Sequence, residues 1–229
     1  MEDIKLNEYL DIISYECNKK IIEQMENDIC KIINKNNEQY TGFICKIPYP
    51  DINNMIKVLI TYNNIINEEI IIETKKYKRI INIKNRMKYI NKLYNIIIIE
   101  IKEEDNINNY LELDDNIINN IINKKTINNN KYINNTIYLI QYIKNNISIS
   151  YSKINNINNK YNFNHKCNTK NESLGSPILN INNKVIGIYN KYDNGLFLNY
   201  IINKFIIENK YNNIKLLDIF SRKYNIIMI

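Results

Sequence analysis

Glycine and proline are nearly missing from this chain, with 4 of the one and 3 of the other in 229 residues, and there is no tryptophan and a single histidine. Four glycines are too few for a glycine-rich phosphate cradle, so the common nucleotide-binding loops are excluded. The four cysteines, Cys17, Cys30, Cys45 and Cys167, have no CxxC spacing, and only His165 could join them. No zinc site, no other metal and no cofactor is therefore expected. No run of about 18 apolar residues is present to span a bilayer. The start, MEDIKLNEYLDII, is acidic and amphipathic and lacks the basic beginning and apolar core of a secretory leader. These absences lead to the expectation of a cytoplasmic protein, in a host cytoplasm if viral, with free buried thiols and an unmodified Asn134-Asn135-Thr136 sequon.

What the chain does hold in excess is Asn, Ile, Lys and Tyr, residues with A/T-rich codons. That bias reads as the mark of an AT-rich genome, viral or protist, and not as a fold signal. It also explains much of the formal net charge of +7. A basic balance suits anionic partners in general, but no arginine-rich or aromatic-interleaved patch stands out. The densest run, Lys75 to Lys88, reads as a solvated strand face, so nucleic acid is not an expected partner.

Along the chain, apolar residues from Ile4 to Met25 recur at three- and four-residue steps and predict one or two helical segments. ICKII and TGFICKI, separated by the polar NKNNEQ, predict a hairpin that Pro48 and Pro50 end. MIKVLITY (55–62) is the next strand, Ile70 to Ile83 and Arg86 to Tyr89 are further strands, and YNIIIIEIK (94–102) is a buried one. Asp105 to Asn130 is a polar connector with short helical spacing. From Thr136 onward come five or six short strands at hairpin spacing, with Gly195 as the turn before the last. Asn203 to Asn209 and Leu216 to Tyr224 predict a closing helix.

The most informative stretch is His165 to Gly187, HKCNTKNESLGSPILNINNKVIG. It resembles the nucleophile segment of trypsin-like serine proteases of the chymotrypsin superfamily, in particular the V8-like members, whose pattern is H-x-C-[DS]-T-x-x-G-x-S-G-S-P followed by a strand, a turn and V-[IV]-G-I. His165, Cys167, Thr169, Gly175, Ser176, Pro177, Val185 and Gly187 fall in register. TGFICKIP and LITYNN match the opening of the same family's first barrel. The resemblance implies an all-β, trypsin-like double β-barrel: an N-terminal helical extension (1–27), a first barrel (28–120), and a second barrel with a C-terminal helix (121–229).

The same register places Asn64 where the family has its histidine base, Asn95 where it has the orienting aspartate, and Leu174 where it has the serine. Acyl transfer requires a nucleophile, a base and aimed backbone donors. Leucine offers no nucleophile, and an amide takes no proton from a hydroxyl near neutral pH. In the oxyanion loop, Gly175 is kept, but Glu172 replaces a glycine and brings a carboxylate to where negative charge would develop. The resemblance thus implies an inactive homologue with a protein or peptide partner in the former substrate cleft, and His165 as a residue of that cleft. Ser173 and Ser176 flank the lost nucleophile without an activating base. Two other readings stand beside it. One is a hydrolase rebuilt on the same fold, such as a cyclic-dinucleotide nuclease, for which His165, Tyr151 and Lys153 are the candidates. The other is a structural viral component.

Overall fold

The computed structural model describes residues 10–34, 36–51, 53–63, 68–123 and 129–224. Ser14 caps the first helix, α1 (Tyr15–Asn27), its side chain accepting from the Cys17 amide at 3.2 Å. Cys17, Ile21 and Gln24 make its buried stripe at steps of four and three. The predicted helical positions before Leu10 lie outside the described residues.

Seven strands follow: β1 (Ile29–Ile33), β2 (Gln39–Pro48), β3 (Met55–Tyr62), β4 (Glu69–Glu73), β5 (Lys78–Asn82), β6 (Lys88–Asn91) and β7 (Ile96–Glu100). They pair antiparallel in the order β5-β4-β1-β2-β3-β7-β6, a sheet curled into a half-barrel with β5 and β6 at its edges. Both faces of this sheet are buried, which is why β7 can read IIIIE without alternation. The period of two survives in where the side chains go. Ile97 and Ile99, with Cys30, Ile32, Ile44 and Leu59, fill the inside of the curl. Ile96 and Ile98, with Ile29, Phe43, Cys45 and Ile60, face the rest of the molecule.

A short crossing carries the chain to the second half. Leu111 bridges to Cys45 on the sheet, and two residues later Leu113 bridges to Val185 on the barrel. Helix α2 (Asp115–Asn123) follows and packs on the last helix. The second half is a closed six-stranded barrel of β8 (Thr136–Ile143), β9 (Asn146–Ile157), β10 (Asn162–His165), β11 (Pro177–Asn180), β12 (Val185–Lys191) and β13 (Asn194–Phe197), in the order β10-β13-β12-β11-β8-β9. Helix α3 (Leu198–Tyr224) is the helix expected from the 203–209 and 216–224 stretches, and it begins earlier, at Leu198.

Gly195 was expected in a turn but lies inside β13, opposite Phe163 of β10 and Tyr189 of β12. A Cβ there would come within 2.2 Å of the Phe163 ring, so the missing side chain makes room for an aromatic one. The turn before β13 is made by Tyr192 and Asp193, both at positive φ. The basic residues of the Lys75 to Lys88 run are exposed except Arg86. Its guanidinium is 6% exposed and holds Asp105, itself 7% exposed, through two bonds of 2.5 and 2.8 Å.

Candidate functional site

The segment from Lys170 to Ser176 sits where the half-barrel meets the closed barrel. Residues Asn171–Ser173 form one turn of 3-10 helix. Gly175 follows at φ +88°, a left-handed conformation that glycine adopts without penalty. A Cβ at this position would lie 2.2 Å from the Thr41 carbonyl oxygen and 2.6 Å from the Tyr62 nitrogen, so the loop lies directly on β2 and β3.

Thr41 of β2 ties this contact together. Its amide donates to the Leu174 carbonyl at 3.1 Å and its hydroxyl donates to the Glu172 carbonyl at 2.9 Å. The same hydroxyl accepts from the Tyr142 amide of β8 at 2.9 Å, and the Thr41 carbonyl accepts from the Thr61 hydroxyl at 2.8 Å. Thr41 is fully buried, and nothing in the local sequence marks it beyond its place in the TGF phrase.

Leu174 is half-buried against the main core. Its amide donates to the Asn171 carbonyl at 3.2 Å, and the Ser173 amide to the Lys170 carbonyl at 3.0 Å. These N–H groups close their own turn and are not free to meet an oxyanion. Ser173 is fully buried, its oxygen accepting from the Lys170 amide at 2.8 Å. Ser176 is also fully buried, and no ionisable partner of its hydroxyl occurs among the described residues.

Asn95 is exposed at the end of the turn before β7, at φ +51°. Its side-chain amide donates to the Tyr62 hydroxyl at 3.4 Å, and its carbonyl accepts from the Asn63 amide at 2.6 Å. Asn95 thus bonds to Tyr62 at the end of β3, and Gly175, the residue after Leu174, lies on the same strand end. Asn64 itself lies outside the described residues. Tyr62, which accepts from Asn95 and packs its ring on that of Tyr40, is not marked by the motif alone.

His165 does not line an open surface, because it is 1% exposed on β10. Its ring lies between those of Phe163 and Tyr189, with centroids at 6.2 and 5.7 Å. Nδ1 accepts from the Cys167 amide at 3.2 Å, and Nε2 has no partner among the described residues. Burial lowers its pKa to about 4 in spite of Asp193 nearby, so the ring is neutral at physiological pH. Tyr151 and Lys153 stand on β9, where Lys153 pairs with Thr136 and Tyr151 with Tyr138. Among the described residues, no hydrogen bond or ring contact joins either to His165, so the nuclease constellation is not assembled.

A cavity of about 530 Å³ opens on the barrel side of the 168–170 segment, between it and the β8–β9 hairpin. Gln141 lines it, donating to the Asn168 carbonyl at 2.9 Å. All four cysteines are buried and unpaired. Burial pushes the Cys167 thiol up to about 12 and raises Cys30 and Cys45 further, the opposite of what a nucleophilic thiol needs. Among the described residues no group of three His, Cys, Asp or Glu side chains could hold a metal.

Neither a protein-family model nor a curated protein sequence matches the chain. Solved structures do. A serine protease of human pathogenic astrovirus superposes with a TM-score of 0.50 at 13% identity, covering 74% of this chain and 88% of its own. A serine endoprotease from Yersinia pestis gives 0.58 at 11%, covering 86% and 69%, and Deg5 gives 0.56 at 10%, covering 82% and 91%. At these identities the likeness is one of fold: this chain has the two-barrel fold of the trypsin-like serine proteases.

Proposed function

We propose that this protein is a catalytically inactive member of the trypsin-like fold, which uses the seam between its two halves to hold a protein or peptide partner. The observation that carries the reading is Leu174. An aliphatic side chain stands in the register position of the nucleophile, and its own amide is used up on Asn171. Asn64 and Asn95 in the places of base and orienting acid support it, as does the carboxylate of Glu172 in the oxyanion loop. The two serines that could stand in for the nucleophile are sealed from solvent.

Incubation with a fluorophosphonate probe and a mixed peptide library tests the catalytic half. No labelling and no cleavage are expected; covalent labelling of Ser173 or Ser176 would refute the reading. The binding half is tested by selecting peptides on the wild-type protein and comparing them on Leu174→Lys. A charge in the seam should abolish capture, whereas peptides that bind both proteins equally do not use the seam. Turnover of a cyclic dinucleotide that is lost in His165→Ala would instead favour the hydrolase reading.

A further inference from the structure

A second site stands apart from the Leu174 segment and shares no lining residue with it. A cavity of about 340 Å³ opens over the C-terminal end of α1, between that helix end and the 108–112 segment of the crossing. Aligned peptide dipoles make a helix C-terminus electronegative and favour a cation there. This 13-residue helix has no basic residue in its last turn, and its C-cap is an acid, Asp28.

Asp28 is the unusual group. The residue is 7% exposed and lines the cavity, and its Oδ1 is buried with no hydrogen-bond partner among the described residues. The two glutamates at the rim already have lysines: Glu23 lies 3.7 Å from Lys20, and Glu112 lies 3.7 Å from Lys184. Asp28 has no such ion pair among the described residues. An unpaired carboxylate in this position has to give up its charge or obtain a counter-charge.

We propose that the cavity at the end of α1 is a binding site for a primary ammonium group, with the Asp28 carboxylate as its counter-ion and the helix C-terminus as its electrostatic support. The residues present suit an organic cation better than a metal ion. A hard metal ion takes several anionic oxygens, and no group of three metal-binding side chains occurs among the described residues. Here one buried carboxylate shares the cavity with Asn27, Asn108, Asn109 and Tyr110, while Lys20, Glu23 and Glu112 line it as well, the two glutamates already held by lysines. The ammonium could be that of a free diamine or of a lysine side chain.

Protonation of Asp28 competes with the ligand. Burial raises its pKa from 3.8 to about 7. Lys20 and Glu23 face it from α1, Lys76 and Tyr77 from the connection between β4 and β5, and Cys30 from β1. The two lysines favour its charged form, Glu23 opposes it, and the raised phenol and thiol are neutral. The carboxylate is therefore scarce below neutrality, and binding should tighten about tenfold from pH 6 to pH 8.

The test follows backbone amide shifts of the full chain at Asp28, Cys30 and Tyr110 during titration. The probes are 1,4-diaminobutane and, separately, a blocked Ala-Lys-Ala peptide. A saturable response to either at pH 8, weakened about tenfold at pH 6, is expected. A response to the diamine alone assigns a free amine, one to the peptide alone assigns a lysine side chain, and one to both supports the shared chemistry. Asp28→Asn is nearly isosteric and removes only the charge, so it should fold with an unchanged circular dichroism spectrum and lose the response. Equal responses in wild type and Asp28→Asn, a response independent of pH, or no saturation up to about 50 mM amine, beyond the millimolar range of a weak ligand, would each overturn the proposal.

Discussion

His165 and Asp28 are both buried, and burial acts on them in opposite directions because one gains charge on protonation and the other loses it. The folded chain holds His165 near 4 against an ordinary value of 6.5, so it binds fewer protons than the unfolded chain between those limits. Its contribution is complete above about 6.5 and is lost as pH falls toward 4. Asp28 is raised from 3.8 to about 7, so its contribution is complete below 3.8 and is lost as pH rises toward 7. The windows overlap, and the slopes offset each other. Wild-type stability should change little between pH 4.5 and 6.5. Urea denaturation of Asp28→Asn should uncover a loss of about 3 kcal/mol on acidification across the full window, and His165→Asn a similar loss on raising the pH. Parallel slopes in both variants would contradict the assignment.

Two elements depend on local chemistry that can be tested directly. The turn between β5 and β6 is anchored to the segment after β7 by Arg86, which besides Asp105 reaches the Asn82 carbonyl at 2.6 Å. Removing one partner of a buried pair leaves the other uncompensated, so Arg86→Met should cost ~3–5 kcal/mol in urea denaturation, and adding Asp105→Leu should recover much of it. The β8–β9 hairpin turns through Lys144 and Asn145, at φ 47° and 68°. Two positive φ values in a two-residue loop define a type I′ turn, for which Asn-Gly is preferred. Lys144→Asn, which keeps the Asn145 side-chain oxygen that accepts from the buried Lys31 ammonium at 3.2 Å, should therefore raise stability by about 1 kcal/mol in urea denaturation. The same pattern recurs elsewhere. Six of the nine described non-glycine residues at positive φ are asparagines, the residue that tolerates that conformation next best after glycine. A chain with almost no glycine makes its turns this way, and its asparagine content, read first as codon bias, thereby has a structural use.

At the scale of the molecule, the parts legible in the sequence are those whose cause is local. MIKVLITY and IIIIE became β3 and β7, and the TGF hairpin became β1 and β2, because alternation and bounding turns are written within ten residues. The 165–187 segment was legible because its motif is contiguous. Arg86 was misplaced in a solvated run because its partner lies 19 residues away. Gly195 was read as a turn because the Phe163 ring that requires it belongs to another strand. Thr41 carries no local signature because its significance rests on residues 101 and 131 positions distant. Exposure was also beyond the motif. The register could place Asn95 and His165, but not leave the one in solvent and seal the other.

Thr41 has a consequence for how the two halves communicate. A single hydroxyl and its neighbouring amide belong at once to a strand of the sheet, to the loop at Leu174 and to a strand of the barrel. Whatever settles on that loop must therefore tug on both sides of the seam together. Deuterium uptake at the Thr41 and Tyr142 amides should slow by about tenfold when a peptide occupies the seam, a change of one RT-scaled decade in local opening. In Thr41→Val the hydroxyl is gone and the two halves should report occupancy independently, with Tyr142 exchanging freely whether or not the peptide is there. A rivet of this kind makes the seam a gauge: a guest that touches one barrel can be sensed from the other.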